Sequence, residues 1–463
     1  MAPRAARCAN LVAVTLTTLL LATASPAAHS ATNDTTHVEG RLPSGATYMM
    51  DVPADWNGTV LVYSHGYVDP GSSNPARDAP DGTTQSLLLA QGYALIGSSY
   101  ATTGFAIADA VPSQMQTLDA FTSRFGPARR TIAWGDSFGG LVTTAIAERH
   151  GNSIDGSLSM CGLVQGGVAN WNDALDTVFA LKTLIAPDAD IPLTDLSSPQ
   201  AAADAAGALT AAVTEAQSTP EGRARIALAA ALHNIPVWNS ANQTRPAPTD
   251  WAAQEANQYS AILGFLQRTF IRRQDAEARA GGNPSWTTGV NFAALLAKSS
   301  VAKGVGELYK SAGLSLKDDL TTLNHAPTIS ENPAALAETS TTSALTGKLT
   351  KPQMDIHTIG DPTLPVQVEN AYHRAVTAAG SGALLRRAYV DNAGHCSFSA
   401  AERLGALNTL EDRITTGHWP DTDAAALNNR AAAADPTTPA RYTAYQPGPY
   451  PRPYDLAHPA DRP

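Results

Sequence analysis

Three features of this 463-residue sequence point to an α/β architecture: a mostly parallel sheet flanked by helices and interrupted by a large helical insertion. Short β-like runs alternate with helix-like stretches from Ala46 onward, which is the rhythm of βαβ units. One strand runs straight into Gly135-Asp136-Ser137-Phe138-Gly139-Gly140 and then into a helix of small residues. An Ala-rich stretch over 163–349 lacks convincing β runs and separates this block from a second set of βα units. A segment of that length needs structure of its own, because a loop could not fill it in a compact domain.

Taken in order, residues 1–30 have the three parts of a secretory signal: Arg4 and Arg7 as the cationic start, an apolar run from Leu11 to Ala22, and Ala28-His29-Ser30 as a small-x-small cleavage point, with Ala22-Thr23-Ala24 as the alternative. The first half of the core spans 31–162. Thr59 to Ser64 reads as a buried strand ending at His65-Gly66, Thr84 to Gln91 as a helix, and Tyr93 to Ser98 as the next strand. Ser113 to Phe125 is amphipathic and stops at Gly126-Pro127. A third strand covers Arg130 to Trp134, the helix after the glycines covers Leu141 to His150, and Ser157 to Cys161 forms one more strand. Within the insertion, Asp250 to Arg279 and Asn291 to Lys303 read as helices. The core resumes over 350–434 with a strand at Met354 to Ile359, a helix at Val366 to Ala379, a strand at Leu385 to Val390 and a helix at Ala400 to Thr416. The Pro-rich tail, 435–463, shows no apolar periodicity and is expected to lie extended over the surface or to be disordered.

The composition is that of a soluble globular chain, 43% hydrophobic and 16% charged. A formal charge of −10, two units more negative once Arg4 and Arg7 are lost with the signal, disfavours nucleic acid and anionic lipid as partners. No segment offers the roughly 20 apolar residues of a membrane span. A secreted protein without a membrane anchor is expected, and nothing in the sequence calls for an obligatory protein partner. Cys8 lies in the signal, leaving Cys161 and Cys396, an even number that favours pairing in an oxidising compartment.

The chemistry centres on Gly135-x-Ser137-x-Gly139 between a strand and a helix. A serine at so sharp a turn adopts strained angles, and small neighbours let helix and strand close around it. Its hydroxyl then stands at a helix amino terminus, where developing negative charge is favoured. A serine hydroxyl needs a base, and the base needs an anion to fix its tautomer. Gly360-Asp361-Pro362 puts a carboxylate at the end of one later strand, and Gly394-His395-Cys396 puts an imidazole just past the next. The order Ser137, Asp361, His395 is that of an elbow-type triad. Asp355, inside its strand, and Asp391, too close to the histidine in sequence, are poorer acids. The oxyanion donors are expected to be the backbone amides of Phe138 and Tyr67, with His65 holding the loop that carries the latter. The tryptophans of the insertion, Trp171, Trp238, Trp251 and Trp286, could line a pocket but read better as core of the insertion. No metal-ligand spacing or phosphate-binding glycine loop occurs, and His357, His373 and His395 lie in unrelated settings.

Together, His65-Gly66 after one strand, the elbow at Ser137, Asp361 and His395 resemble the α/β-hydrolase superfamily over about Ala46 to Cys161 and Lys351 to Thr416. Asp55-Trp56-Asn57-Gly58 and Tyr389 to Cys396 resemble secreted bacterial esterase-like hydrolases in particular. Gly135-Asp136-Ser137-Phe138 also resembles the GDS-type block of another hydrolase class, but that class places the block near the mature amino terminus, whereas at least two strands precede it here, and it uses an Asp-x-x-His pair, whereas Asp391 and His395 are spaced Asp-x-x-x-His. The α/β-hydrolase resemblance implies no metal and no organic cofactor. His395-Cys396 is similar to half of the cystine of tannase and feruloyl-esterase-like enzymes, where the partner cysteine adjoins the serine. Here Asp136 holds that place, and the expected bond is instead Cys161 to Cys396.

The resulting expectation is a secreted serine esterase that cleaves a small-molecule carboxylic ester through an acyl-enzyme, the insertion forming a lid over the site. The doubled glycine Gly139-Gly140 resembles the proline-iminopeptidase-like branch and keeps an aminopeptidase or amidase reading open. An acyltransferase using an alcohol acceptor would use the same residues, and a non-catalytic protein on this fold would be expected to lack one of them.

Overall fold

The computed structural model describes residues 34–454. The expected signal at 1–30 and the last residues of the tail lie outside this range.

The chain opens with two strands that sequence patterning leaves unmarked, β1 (Thr35–Arg41) and β2 (Thr47–Pro53), paired antiparallel. β3 (Thr59–Ser64) is buried at every residue, as a strand covered on both faces must be. Next come α1 (Gly82–Ala90), capped by Asp81, β4 (Ala94–Ser98) and α2 (Ile107–Phe125). The last begins a turn and a half before the expected start and runs through Pro112, which forfeits one intrahelical N–H bond near the amino end. β5 (Arg130–Asp136) feeds α3 (Phe138–Arg149), and β6 (Gly156–Met160) closes the first half.

The insertion is built from eight helices: α4 (Gly167–Ile185), α5 (Pro199–Ala216), α6 (Pro220–Leu232), α7 (Trp251–Ala280), α8 (Phe292–Lys298), α9 (Ala302–Ser311), α10 (Leu316–His325) and α11 (Pro333–Ser343). Prolines in the first turns of α5, α6 and α11 set helical φ where no N–H bond is lost. The single helix expected over Asn291 to Lys303 is two, because Ser299 turns to an extended conformation after α8. These helices share an apolar core of their own, with Leu209, Leu228, Ile262, Leu266 and Phe292 at its centre.

The core resumes with β7 (Gln353–Gly360), α12 (Val368–Ala378), β8 (Leu385–Ala393) and α13 (Ala400–Thr416), the last started by a Ser399–Glu402 capping box. α14 (Ala424–Ala434) follows, and β9 (Tyr442–Thr443) adds to the sheet edge. The Pro-rich segment is therefore not a loose surface tail over its described length. It pairs with β8 and buries Tyr442, Tyr450 and Arg452.

The nine strands lie in the order β1-β2-β4-β3-β5-β6-β7-β8-β9. Pairing is parallel from β4 through β8 and antiparallel at both edges. The register sets Ser64 beside Gly135, Asp136 beside Met160, Met160 beside Ile356 and Gly360 beside Ala393. Ser137, Cys161, Asp361 and His395 thus leave the sheet at one rim, the rim where ligands bind in open parallel sheets. No described helix is long and apolar enough to cross a membrane.

Candidate active site

Ser137 has φ +59° and ψ −119°, a conformation that a non-glycine residue holds only when its surroundings enforce it. The glycines do the enforcing. A Cβ on Gly139 would collide with the Ser64 carbonyl, and one on Gly135 would lie 2.5 Å from that same oxygen. The turn is pinned by the Ser137 N–H donating to the Met160 carbonyl at 2.9 Å. α3 starts at Phe138, so this residue's N–H, like the first N–H of any helix, has no intrahelical acceptor.

The structure brings the three distant side chains together. The Ser137 hydroxyl lies 2.7 Å from His395 Nε2, and His395 Nδ1 lies 2.7 Å from Asp361 Oδ2. An ionised carboxylate only accepts, so Nδ1 carries the proton and Nε2 presents its lone pair to the serine. Asp361 is fully buried, and its other oxygen accepts from the N–H groups of Thr363 (2.8 Å) and Leu364 (3.0 Å). Burial alone would raise its pKa, but the charges of His395 and His357 and the backbone donors hold it below the ordinary carboxyl value.

The rejected acids are accounted for. Asp391 faces Arg245 of the insertion at 2.9 Å, and Asp355 is buried beside Gln353 and Glu369. His65 is buried, stacks on Tyr100 at 4.0 Å between ring centroids, and has its own carbonyl held by the Tyr100 hydroxyl at 2.8 Å. A Cβ on Gly66 would come 3.7 Å from the Ser137 Cβ, so the His65-Gly66-Tyr67 loop borders the elbow.

Cys161 and Cys396 are joined, with Cα atoms 5.4 Å apart and a sequence separation of 235. The bond ties the end of β6 to the loop that carries His395. Asp136 fills the place beside the serine. Its carboxyl is buried under the Tyr63 hydroxyl at 3.3 Å, and burial pushes its pKa up to about 6. Cys161, His395 and Cys396 cluster closely enough to suggest metal ligands, but the sulfurs are spent in the disulfide and offer no thiolate.

A cleft opens at Ser137, walled on one side by Tyr67, Phe138, Thr363 and Leu364 and on the other by the insertion's Trp171, His233, Phe265, Arg268 and Arg272. Phe105 packs edge-on against both Phe138 and Trp171, at 5.4 Å in each case. The insertion therefore roofs the rim, and of its tryptophans Trp171 faces the cleft while Trp286 is buried within the insertion against Val168 and Leu336.

Sequence reasoning missed two sets of residues. One is His357, behind Asp361, with Nδ1 3.0 Å from Glu369 and Nε2 2.9 Å from the Leu364 carbonyl. The other is the arginine pair on α7, whose spacing of four marks a shared helix face. Nothing in the sequence says where that face points.

The strand order, the strained elbow and the chain order Ser137, Asp361, His395 define an α/β-hydrolase, and the protein is a hydrolase of that type. No protein-family model matches the sequence. The chain is 30% identical over 430 residues to the o-phthalyl amidase of Xanthobacter agilis, covering 88% of this chain and 93% of that one, and it belongs to the same family. Among solved structures it is similar to feruloyl esterase B from Aspergillus oryzae (TM-score 0.40, 11% identity, 83% of this chain and 82% of that one). It is similar also to an esterase from Pyrococcus furiosus (TM-score 0.37, 9% identity, 83% and 90%).

Proposed function

We propose that the protein is an exported serine hydrolase that removes an aromatic acyl group from an amide, and from the corresponding ester, through a covalent intermediate on Ser137. The observation that carries the reading is the unbroken line of 2.7 Å contacts from Ser137 through His395 to Asp361. As Ser137 Oγ bonds to the substrate carbonyl carbon, its proton passes to His395 Nε2. The oxyanion is held by the N–H groups of Phe138 and Tyr67, each such donor being worth ~3 kcal/mol in the transition state. Asp361 stabilises the imidazolium, which then protonates the leaving nitrogen as the C–N bond breaks. A water attacks the acyl-enzyme, giving its proton to His395; the carboxylic acid leaves and Ser137 recovers its hydrogen.

Amide cleavage is favoured by the family relationship, since the relative is named as an amidase acting on phthalyl groups. Ester cleavage, which the sequence alone puts first, follows from the same steps, because the His395 imidazolium can protonate a departing oxygen as it does a departing nitrogen. An aminopeptidase would need an acid to grip a free amino group, and the described residues lining the cleft include none. The reading of export is supported by the disulfide, which persists in oxidising compartments.

The test is a substrate panel of matched 4-nitroanilides and 4-nitrophenyl esters of benzoyl, 2-carboxybenzoyl and aminoacyl groups, run beside Ser137→Ala. Turnover of the aromatic acyl series, with kcat lowered by about 10⁴-fold or more in the variant, is expected. Preferred turnover of aminoacyl anilides would overturn the acyl assignment, and undiminished activity in Ser137→Ala would overturn the mechanism. Amino-terminal sequencing of protein from culture medium, expected to begin at Ala31, checks export.

A further inference from the structure

We propose that Arg268, flanked by Arg272 one turn along α7, is the specificity-determining residue that pairs with a carboxylate on the acyl portion of the substrate. The proposal rests on Ser137 being the nucleophile and adds what the roof of the cleft selects.

Both arginines line the cleft that holds Ser137. Spaced i, i+4, they project from one face of α7. Arg272 lies over the Tyr67 ring, its guanidinium carbon 4.5 Å from the centroid, and reaches the Asp69 carboxylate only at 3.9 Å. Its Nε is buried and without an acceptor. Arg268 makes no hydrogen bond and no ion pair with any described residue. Burial, and then the like charge of Arg272, disfavours its charged form, while Asp361 and Asp69 act on it only from a distance. Among the described residues, none that lines this part of the cleft is acidic. Two half-buried guanidiniums side by side, one without a counter-ion, leave a positive hollow beside the nucleophile, and a bidentate carboxylate would fill it.

The walls decide what carries that carboxylate. Phe105, Phe138 and Trp171 present ring faces and edges in a mutually packed set. Such a slot suits a flat ring. A ring held there with its scissile carbonyl at Ser137 Oγ has a carboxyl substituent as the group that can meet α7. The same charge would repel a substrate bearing a free ammonium.

The test compares kcat/KM for 2-carboxybenzoyl 4-nitroanilide and benzoyl 4-nitroanilide in the wild type, Arg268→Gln and Arg268→Lys. The wild type is expected to prefer the carboxylated substrate by about 10- to 100-fold, the range of a charge-assisted hydrogen-bonded pair. Arg268→Gln should abolish most of that preference, and Arg268→Lys, which keeps the charge but loses the fork, should retain an intermediate share. Equal loss on both substrates in Arg268→Gln would mean a structural role and overturn the proposal. A second arm titrates phthalate and benzoate into Ser137→Ala with Arg268 intact. Phthalate is expected to bind at least tenfold more tightly, and equal affinities would overturn the proposal whatever happens to the position-268 variants. Persistent hydrolysis by Ser137→Ala would instead refute the nucleophile assignment, leaving the titration to report on the arginines alone.

Discussion

Asp361 stands between two imidazoles, and the one behind it, His357, makes no contact with Ser137. His357 Nδ1 faces the Glu369 carboxylate and Nε2 faces a carbonyl, so both ring nitrogens meet acceptors and both must donate. Burial alone would lower its pKa, but Glu369 and Asp361 outweigh burial and raise it above the ordinary 6.5. A raised histidine stabilises the fold fully below its unfolded value and loses that contribution as pH rises through its folded value. Asp361, held below the ordinary 3.8, behaves oppositely and loses its contribution on acidification. Replacing His357 with Gln should therefore lower the thermal midpoint most at mildly acidic pH below 6.5, with the gap to wild type closing as pH rises through the folded value of His357. A gap that does not vary with pH would refute a charged His357. For Asp361→Asn, kcat is expected to fall by about 10⁴-fold, because the base then adopts the wrong tautomer, and stability at neutral pH should fall as well, since the carboxylate's contribution is present there.

Among the elements, the elbow tolerates least. The Gly139 Cβ position coincides with the Ser64 backbone, so Gly139→Ala must push β3 and α3 apart. A destabilisation of about 1–3 kcal/mol is expected, with loss of fluorophosphonate labelling at Ser137 beyond what the fall in Tm explains. The elbow, β3, β5, β7 and β8 were legible in the sequence because parallel central strands read as continuous apolar runs ending at chemistry-bearing residues. The β1 and β2 pair was not, since Thr35–Arg41 buries only Val38 and shows little alternation. α14 escaped notice for a similar reason: Ala424–Ala434 buries only Leu427 and Ala431, leaving no stripe to detect. The meeting of Ser137, Asp361 and His395 is readable because strand ends fix all three. Arg268, Arg272 and Phe105 are not, because their meeting depends on how the insertion settles on the sheet.

At the scale of the whole molecule, the last described residues act as a strap from the sheet edge back to the insertion. Arg452 is buried against Asp176 at 2.8 Å and lies over Trp286, while the Tyr450 hydroxyl lies 3.2 Å from Asp173. Burial pushes the Asp176 carboxyl up to about 7 even with the Arg452 charge opposing it. Arg452→Met should cost about 3–5 kcal/mol, the penalty of stranding a buried charge. A raised carboxyl contributes stability that is lost as pH rises through its folded value, so the loss should be larger at alkaline than at mildly acidic pH, as chemical denaturation at the two pH values would show. The Pro-rich composition of this segment concealed its role, since single anchoring side chains leave no periodicity. The Cys161–Cys396 bond has a consequence of another kind, because every residue of the insertion falls between its two ends. A protease that severs any one peptide bond of the roof leaves both fragments attached, and the cut enzyme should migrate as a single species on electrophoresis until a reductant parts them.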